Sequence, residues 1–157
     1  MPDLFPQPLT DELLDLLDDL RPGDWLAVAS ANAPLLERTR SLTLPSTLEQ
    51  AAAAVFAVLP ISRHTRVPLA SWAVDAADPV FQDLVHAVQG LASDGSGRRQ
   101  RAHPLPDDVL VECIGSQVRS TIRVPWEGAP FLFLICAGGG IHQPTDLQHP
   151  RVLAGSR

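Results

Sequence analysis

The chain contains neither lysine nor tyrosine. Without lysine there is no Schiff-base amine and no P-loop lysine for a phosphate, and without tyrosine there is no phenolic acid. All 12 cationic side chains are therefore arginines, whose guanidinium stays charged across the usual pH range. Cysteine is scarce: Cys113 and Cys136 each sit inside an apolar stretch, the setting of reduced core thiols and not of a disulfide framework. Together with His142 and His149 they reproduce no zinc spacing, so neither a metal nor a cofactor is expected. Excess positive charge is missing too. Eighteen acidic side chains against 12 arginines give a formal charge of −6, which argues against nucleic acid or an anionic membrane as partner. The longest apolar run, residues 51–60, falls well short of the ~20 residues of a membrane span. The opening Met1-Pro2-Asp3-Leu4-Phe5-Pro6 has no cationic region followed by an apolar core. A soluble, cytoplasmic protein is the expectation.

What remains suits one globular domain: 157 residues, 45% of them apolar. Proline, at 15 residues, is about twice its average share and promises many turns. Thr10-Asp11-Glu12 caps a helix whose leucines 13, 14, 17 and 20 recur at helical spacing, and Arg21-Pro22-Gly23 stops it. The helix acids Asp15, Asp18 and Asp19 read as a solvated face. Leu26 to Ala29 reads as a buried strand leaving through Ser30-Ala31-Asn32-Ala33-Pro34, and Ser41 to Leu44 as another. Ser46-Thr47-Leu48-Glu49 has capping-box spacing before an alanine-rich helix that ends at Pro60. Small residues 51–54 fit it tightly to a sheet or a neighbouring subunit. Val67 to Val74 is apolar enough for a central strand, and Asp78-Pro79 starts a helix with Gly90 near its end. Residues 93–101 read as a flexible loop, Val109 to Ile114 and Phe131 to Cys136 as strands, and 115–123 as ambiguous. The alternation predicts an α/β sandwich, helices on both faces of one sheet.

Ligands of open α/β sheets settle beyond the carboxyl ends of strands. Ser30 and Asn32 lie at such a place, with hydroxyl and amide groups that suit a polyol or serve the turn itself. His64, between Arg63 and Arg66, is either a pocket base whose protonation its cationic neighbours disfavour or part of a charged surface turn. Arg63 or Arg66 suits a phosphate or carboxylate. Gly138-Gly139-Gly140 follows a strand but lacks the spacing of a dinucleotide fingerprint. The Arg98-Arg99-Gln100-Arg101 cluster has no interleaved aromatics and reads as a solvated loop.

Taken in order, several segments resemble the RbsD/FucU family of sugar mutarotases and pyranases. Leu9 to Leu14 resembles its opening helix, and Arg21-Pro22-Gly23-Asp24-Trp25 falls where it carries Gly-His-(Gly/Thr)-Asp-(Glu/Gln). Val28 to Pro34 falls where it has Ser/Ala-Asp-Ala-(His/Gly)-x-Pro. Leu48 to Leu59, Val67 to Val74 and Asp78-Pro79-Val80-Phe81 resemble its middle helix, next strand and Asp-Pro helix start. Phe131 to Gly138 resembles its last apolar strand. The likeness spans residues 9–140, leaving an extension at 1–8 and a tail at 141–157.

The departures fall on the working groups. Mutarotation protonates the ring oxygen while a base takes the anomeric proton. The family's histidine matches Pro22, its loop aspartate Ser30 and its second loop histidine Asn32. Its late Glu falls near Gly139 or Gly140, and its Tyr-x-Asn element is absent. Asp24 survives. The resemblance thus implies monosaccharide contacts from Asp24, Ser30 and Asn32, with Asp24 a catalytic candidate. From elsewhere in the pocket, His64 and Arg119 are the candidates to rescue the chemistry, His64 as a catalytic group and Arg119 as a further sugar contact. It also implies a homo-oligomeric ring, for which the 51–54 face, Trp25 and Trp126 are contact candidates. Three functions stay open: a mutarotase or pyranase with a rebuilt site, a silent sugar- or metabolite-binding relative, and a structural or regulatory subunit.

Overall fold

The computed structural model describes residues 10–33 and 40–138, side chains 113–116 excepted. The expected extension, the tail with His142 and His149, and Gly139 and Gly140 lie outside the described residues. Thr10 caps α1 (Asp11–Asp18) through its hydroxyl, as its sequence predicts. Then follow β1 (Trp25–Ser30), β2 (Arg40–Thr43), α2 (Leu48–Val58), β3 (Leu69–Ala73), α3 (Pro79–Ser96), β4 (His103–Pro104), α4 (Asp107–Ser116), β5 (Val118–Val124) and β6 (Phe131–Cys136).

The six strands form one sheet in the order β2-β5-β1-β6-β3-β4. Only β6 runs against its neighbours. Strand alternation sends Leu26, Val28, Ile122, Phe131, Phe133 and Ile135 to one face, beneath α1, α2 and α3. Ala27, Ala29, Ala70, Leu132 and Leu134 point to the other, where Leu110 of α4 packs. The crossing from β4 at one border to β5 near the other carries α4 over this second face. Helices thus cover both faces, as expected.

Four local readings change. The capping box of α2 sits one residue later than its Ser-x-x-Glu spacing suggests: Thr47 and Gln50 bond each other's backbone N–H. Residues 109–114 are helix, not strand. Pro106, Asp107 and Asp108 start a helix with acids at its positive end, and among its described side chains only Leu110 turns inward, leaving Val111 68% exposed. The expected loop at 93–101 is helical through Ser96, and α3 ends on Gly97 with a left-handed φ of 72°. It continues past Gly90 because its inward stripe does, through Val88 to a fully buried Ala92. Residues 51, 52 and 54 are buried in the chain's own core, so they offer no surface to a second copy. Trp25 and Trp126 are half-buried.

Gly95 marks the closest approach of α3 to α2, since a Cβ there would stand 2.7 Å from the Phe56 carbonyl oxygen. Gly95→Leu is expected to cost about 1–3 kcal/mol through forced separation of the helices. Thermal unfolding followed by circular dichroism checks it; an unchanged midpoint would show that the helices slide freely.

Candidate functional site

The sheet places the expected site residues at opposite ends. Ser30 closes the carboxyl end of β1, and Asn32 follows in the next turn. Asp24 precedes the amino end of β1, and Arg119 lies beside it at the start of β5, where Trp25 pairs Val118. His64 belongs to the 61–66 segment. There Ile61 bridges Ala137, and Ser62 donates its N–H to the Cys136 carbonyl at 2.9 Å. Because Cys136 lies opposite Trp25, His64 shares the Asp24 end. The six residue steps from Asp24 to Ser30, at about 3.3 Å each, put roughly 20 Å between the ends. His64 therefore does not converge with Ser30 and Asn32, and its proposed rescue of chemistry at that loop fails.

At the carboxyl end, Ser30 is fully buried, and its hydroxyl donates to the Phe131 carbonyl (3.1 Å) while accepting the Phe131 N–H (3.0 Å). It forms the last rung between β1 and β6 with a side chain. Asn32 donates its amide to the Gly128 carbonyl at 2.8 Å from an exposed turn.

At the amino end, the Arg21-Pro22-Gly23-Asp24 turn needs Gly23, whose φ is 91°. The turn is tied to β6: Gly23 donates to the Ala137 carbonyl, and Ala137 returns its N–H to Asp24. Asp24 Oδ2 accepts the Arg21 N–H at 2.8 Å and lies 3.6 Å from Arg119 Nε. Arg119 also faces Asp19 at 3.6 Å. Both Asp24 and Arg119 keep solvent access, 27% and 47% by side chain. The His64 N–H bonds the Ser62 hydroxyl, and its ring bonds none of the described residues. Ser62, Thr65 and the buried thiol of Cys136 form a hydrogen-bonded row beneath it. Gly138 belongs to this packing: a Cβ would stand 2.9 Å from the Ile61 carbonyl oxygen.

Among the described residues three surface hollows stand out, and none of these three is lined by Asp24, Ser30, Asn32, His64 or Arg119. One of about 570 Å³ runs between α1 and β2, with Arg40 bonded to Asp15 at 2.7 Å. That hydrogen bond holds the Arg40 guanidinium above its ordinary range. A second, about 310 Å³, joins Trp72, Gln82 and Asp107, the indole donating to Asp107 at 2.7 Å. The third, about 460 Å³, is lined by Arg66, Arg99, Arg101 and His103. Sequence reading missed the last two as sites. Its one signal was the 98–101 cluster, whose meeting with Arg66 depends on strand pairing.

Solved structures share the fold. FucU from Bifidobacterium longum has a TM-score of 0.70 at 18% identity, over 88% of this chain and 99% of its own. A fucose mutarotase from Streptococcus pneumoniae, solved with L-fucose, has 0.64 at 13%, over 86% and 96%. Bacillus subtilis RbsD, solved with D-ribose, has 0.58 at 18%, over 85% and 95%. The chain thus has the α/β fold of the RbsD and FucU proteins that its sequence resembles. No family model and no curated protein sequence matches it.

Proposed function

We propose that this chain is a divergent RbsD/FucU-type protein that binds a monosaccharide at Asp24 and Arg119 without a relay for fast anomer exchange. The observation that carries the reading is the Asp24–Arg119 pair on a shared fold. At 3.6 Å the two groups stand beyond a direct hydrogen bond, so each keeps capacity for a ligand. A carboxylate accepts from one sugar hydroxyl while a guanidinium donates to the next. Ser30 and Asn32 act in this reading as ties that hold the opposite loop.

Anomer exchange asks for a proton at the ring oxygen and a base at the anomeric hydroxyl. A guanidinium is no proton shuttle, Pro22 stands at the resembled histidine, and the Ser30 hydroxyl is consumed by backbone. Within the Asp24–Arg119 pair, Asp24 is the one proton acceptor.

Ligand-observed NMR with D-ribose, L-fucose and related aldoses tests this. Saturation transfer to the sugar is expected, with anomers exchanging at the uncatalysed rate. Asp24→Ala and Arg119→Ala are each expected to weaken binding about tenfold, the scale of one charge-assisted hydrogen bond. No contact from any aldose would overturn the reading. Accelerated exchange that falls with Asp24→Ala or His64→Ala would replace it with a working mutarotase. The resemblance also supports a cytoplasmic homo-oligomeric ring. Light scattering after size exclusion is expected to give a multiple of the 16.9 kDa chain, and a monomer at every concentration would remove the ring.

A further inference from the structure

Positive charge collects at one border of the sheet, with Asp75, Asp94 and Asp107 bounding it in sequence. Residues 62–74 and 95–106 contain no acid in a chain that has 18. Yet these stretches hold Arg63, Arg66, Arg98, Arg99 and Arg101, together with His64 and His103. The fold brings them together. Arg98 Nη2 donates to the Ser62 carbonyl at 3.4 Å, and β4 pairs its His103 with Ala70 of β3. Between them opens the hollow of about 460 Å³ lined by Arg66, Arg99, Arg101 and His103. Among the described residues, none of these five arginines makes an ion pair, whereas Arg40 faces Asp15 and Arg119 faces Asp19 and Asp24.

The backbone that carries the cluster is fixed. Gln100 is buried between Arg99 and Arg101, its N–H bonded to Ser93 Oγ at 2.8 Å and its amide to Ser96 Oγ at 3.2 Å. Ala102 donates to Gln89 Oε1 at 2.9 Å. The guanidinium groups therefore start from anchored positions, which lowers the ordering cost of gripping a ligand. Like charges inside a Debye length of about 8 Å repel, and that repulsion is relieved when an anion enters. Arginine forks match phosphate oxygens. The volume lies within the roughly 300–1,000 Å³ of small-molecule sites. No phenylalanine or tryptophan lines the hollow for base stacking, and the net charge of −6 opposes a long polyanion.

We infer that this hollow is a binding site for a phosphate-bearing small molecule, its phosphate held by Arg66, Arg99 and Arg101 and the rest of the volume left for a small polar body. The site is separate from Asp24 and Arg119, with β6 and β3 between them and the β4 border.

Amide-detected NMR titrations with inorganic phosphate, D-ribose and ribose 5-phosphate, at ionic strength held constant with chloride, test the inference. Phosphate is expected to shift amides of residues 66 and 99–103, and ribose 5-phosphate to bind at least about tenfold tighter than ribose. The double variant Arg66→Ala/Arg101→Ala is expected to lose at least about tenfold of that affinity. Arg40→Ala, at the opposite sheet border, should stay within about twofold. Ribose 5-phosphate binding that survives Asp24→Ala separates this site from the sugar site, whatever becomes of the latter. Should the double variant fail to fold, Arg99→Gln gives the same comparison. Phosphate arms without response, losses shared equally by Arg40→Ala, or shifts produced only by a single-stranded oligoribonucleotide would each overturn the inference. Response to inorganic phosphate with no gain from the ribose body would limit the ligand to the free anion and overturn the claim on the remaining volume.

Discussion

Phe131→Ala is expected to lower the unfolding free energy by about 3–5 kcal/mol, the range for removing a fully buried aromatic side chain. The ring is 1% exposed and stands at the meeting point of three others. Trp126 meets it edge-on at 4.9 Å, and Phe81 and Phe133 both lie at 6.0 Å. Collapse into the space it leaves is restricted from each side. Phe133 is held by β1 and β3, Phe81 by the first turn of α3, and Trp126 by its hydrogen bond to the Ala129 carbonyl. Against a typical total of about 5–15 kcal/mol, such a loss leaves a marginal protein. Urea unfolding should show an earlier midpoint with an unchanged slope. Val74→Ala, on a side chain 62% exposed, should stay within about 0.5 kcal/mol. A loss under about 1 kcal/mol for Phe131→Ala would show that the four rings repack.

Ser30→Ala is expected to cost about 2–4 kcal/mol although it removes a single oxygen. The hydroxyl satisfies both the N–H and the carbonyl of Phe131, and both would be left buried and unpaired. Phe131 does not find those partners in β3, because its backbone groups face β1. The same variant bears on function. If Ser30 only ties strands, the folded fraction keeps its affinity for a monosaccharide, read by titration at low temperature where the variant is native. Affinity that falls while the urea midpoint holds would return Ser30 to the ligand.

Much of this was legible in the chain. The Thr10 cap, the Asp78-Pro79 helix start and the strands around Leu26 and Phe131 follow from local rules that packing here reinforces. Residues 109–114 were misread because two exposed valines and a buried leucine look the same in a strand and in a short helix. The end of α3 was misread because Ser93, Gly95 and Gly97 are loop residues by composition. In the structure Ser93 bonds the Gln89 carbonyl, Gly95 admits α2, and Gly97 is the cap. Asp24 was found through resemblance alone. That Asp24 and Ser30 stand at opposite ends follows from the strand predicted between them. The placing of Arg119 and His64 at the Asp24 end was not readable, since it depends on β5 running parallel to β1 and β6 against it. The meeting of Arg66 with Arg101 depends likewise on β3 pairing with β4, a strand of two residues that no local pattern announces.

That shortest strand has a consequence for how copies of the molecule meet. Its second residue is Pro104, which has no amide hydrogen to offer. A border so brief, and lacking that donor, gives an incoming chain little main-chain ladder to extend. Fibril-like stacking is thereby discouraged on this flank, and association has to be written in side-chain chemistry, where charge and shape select the neighbour.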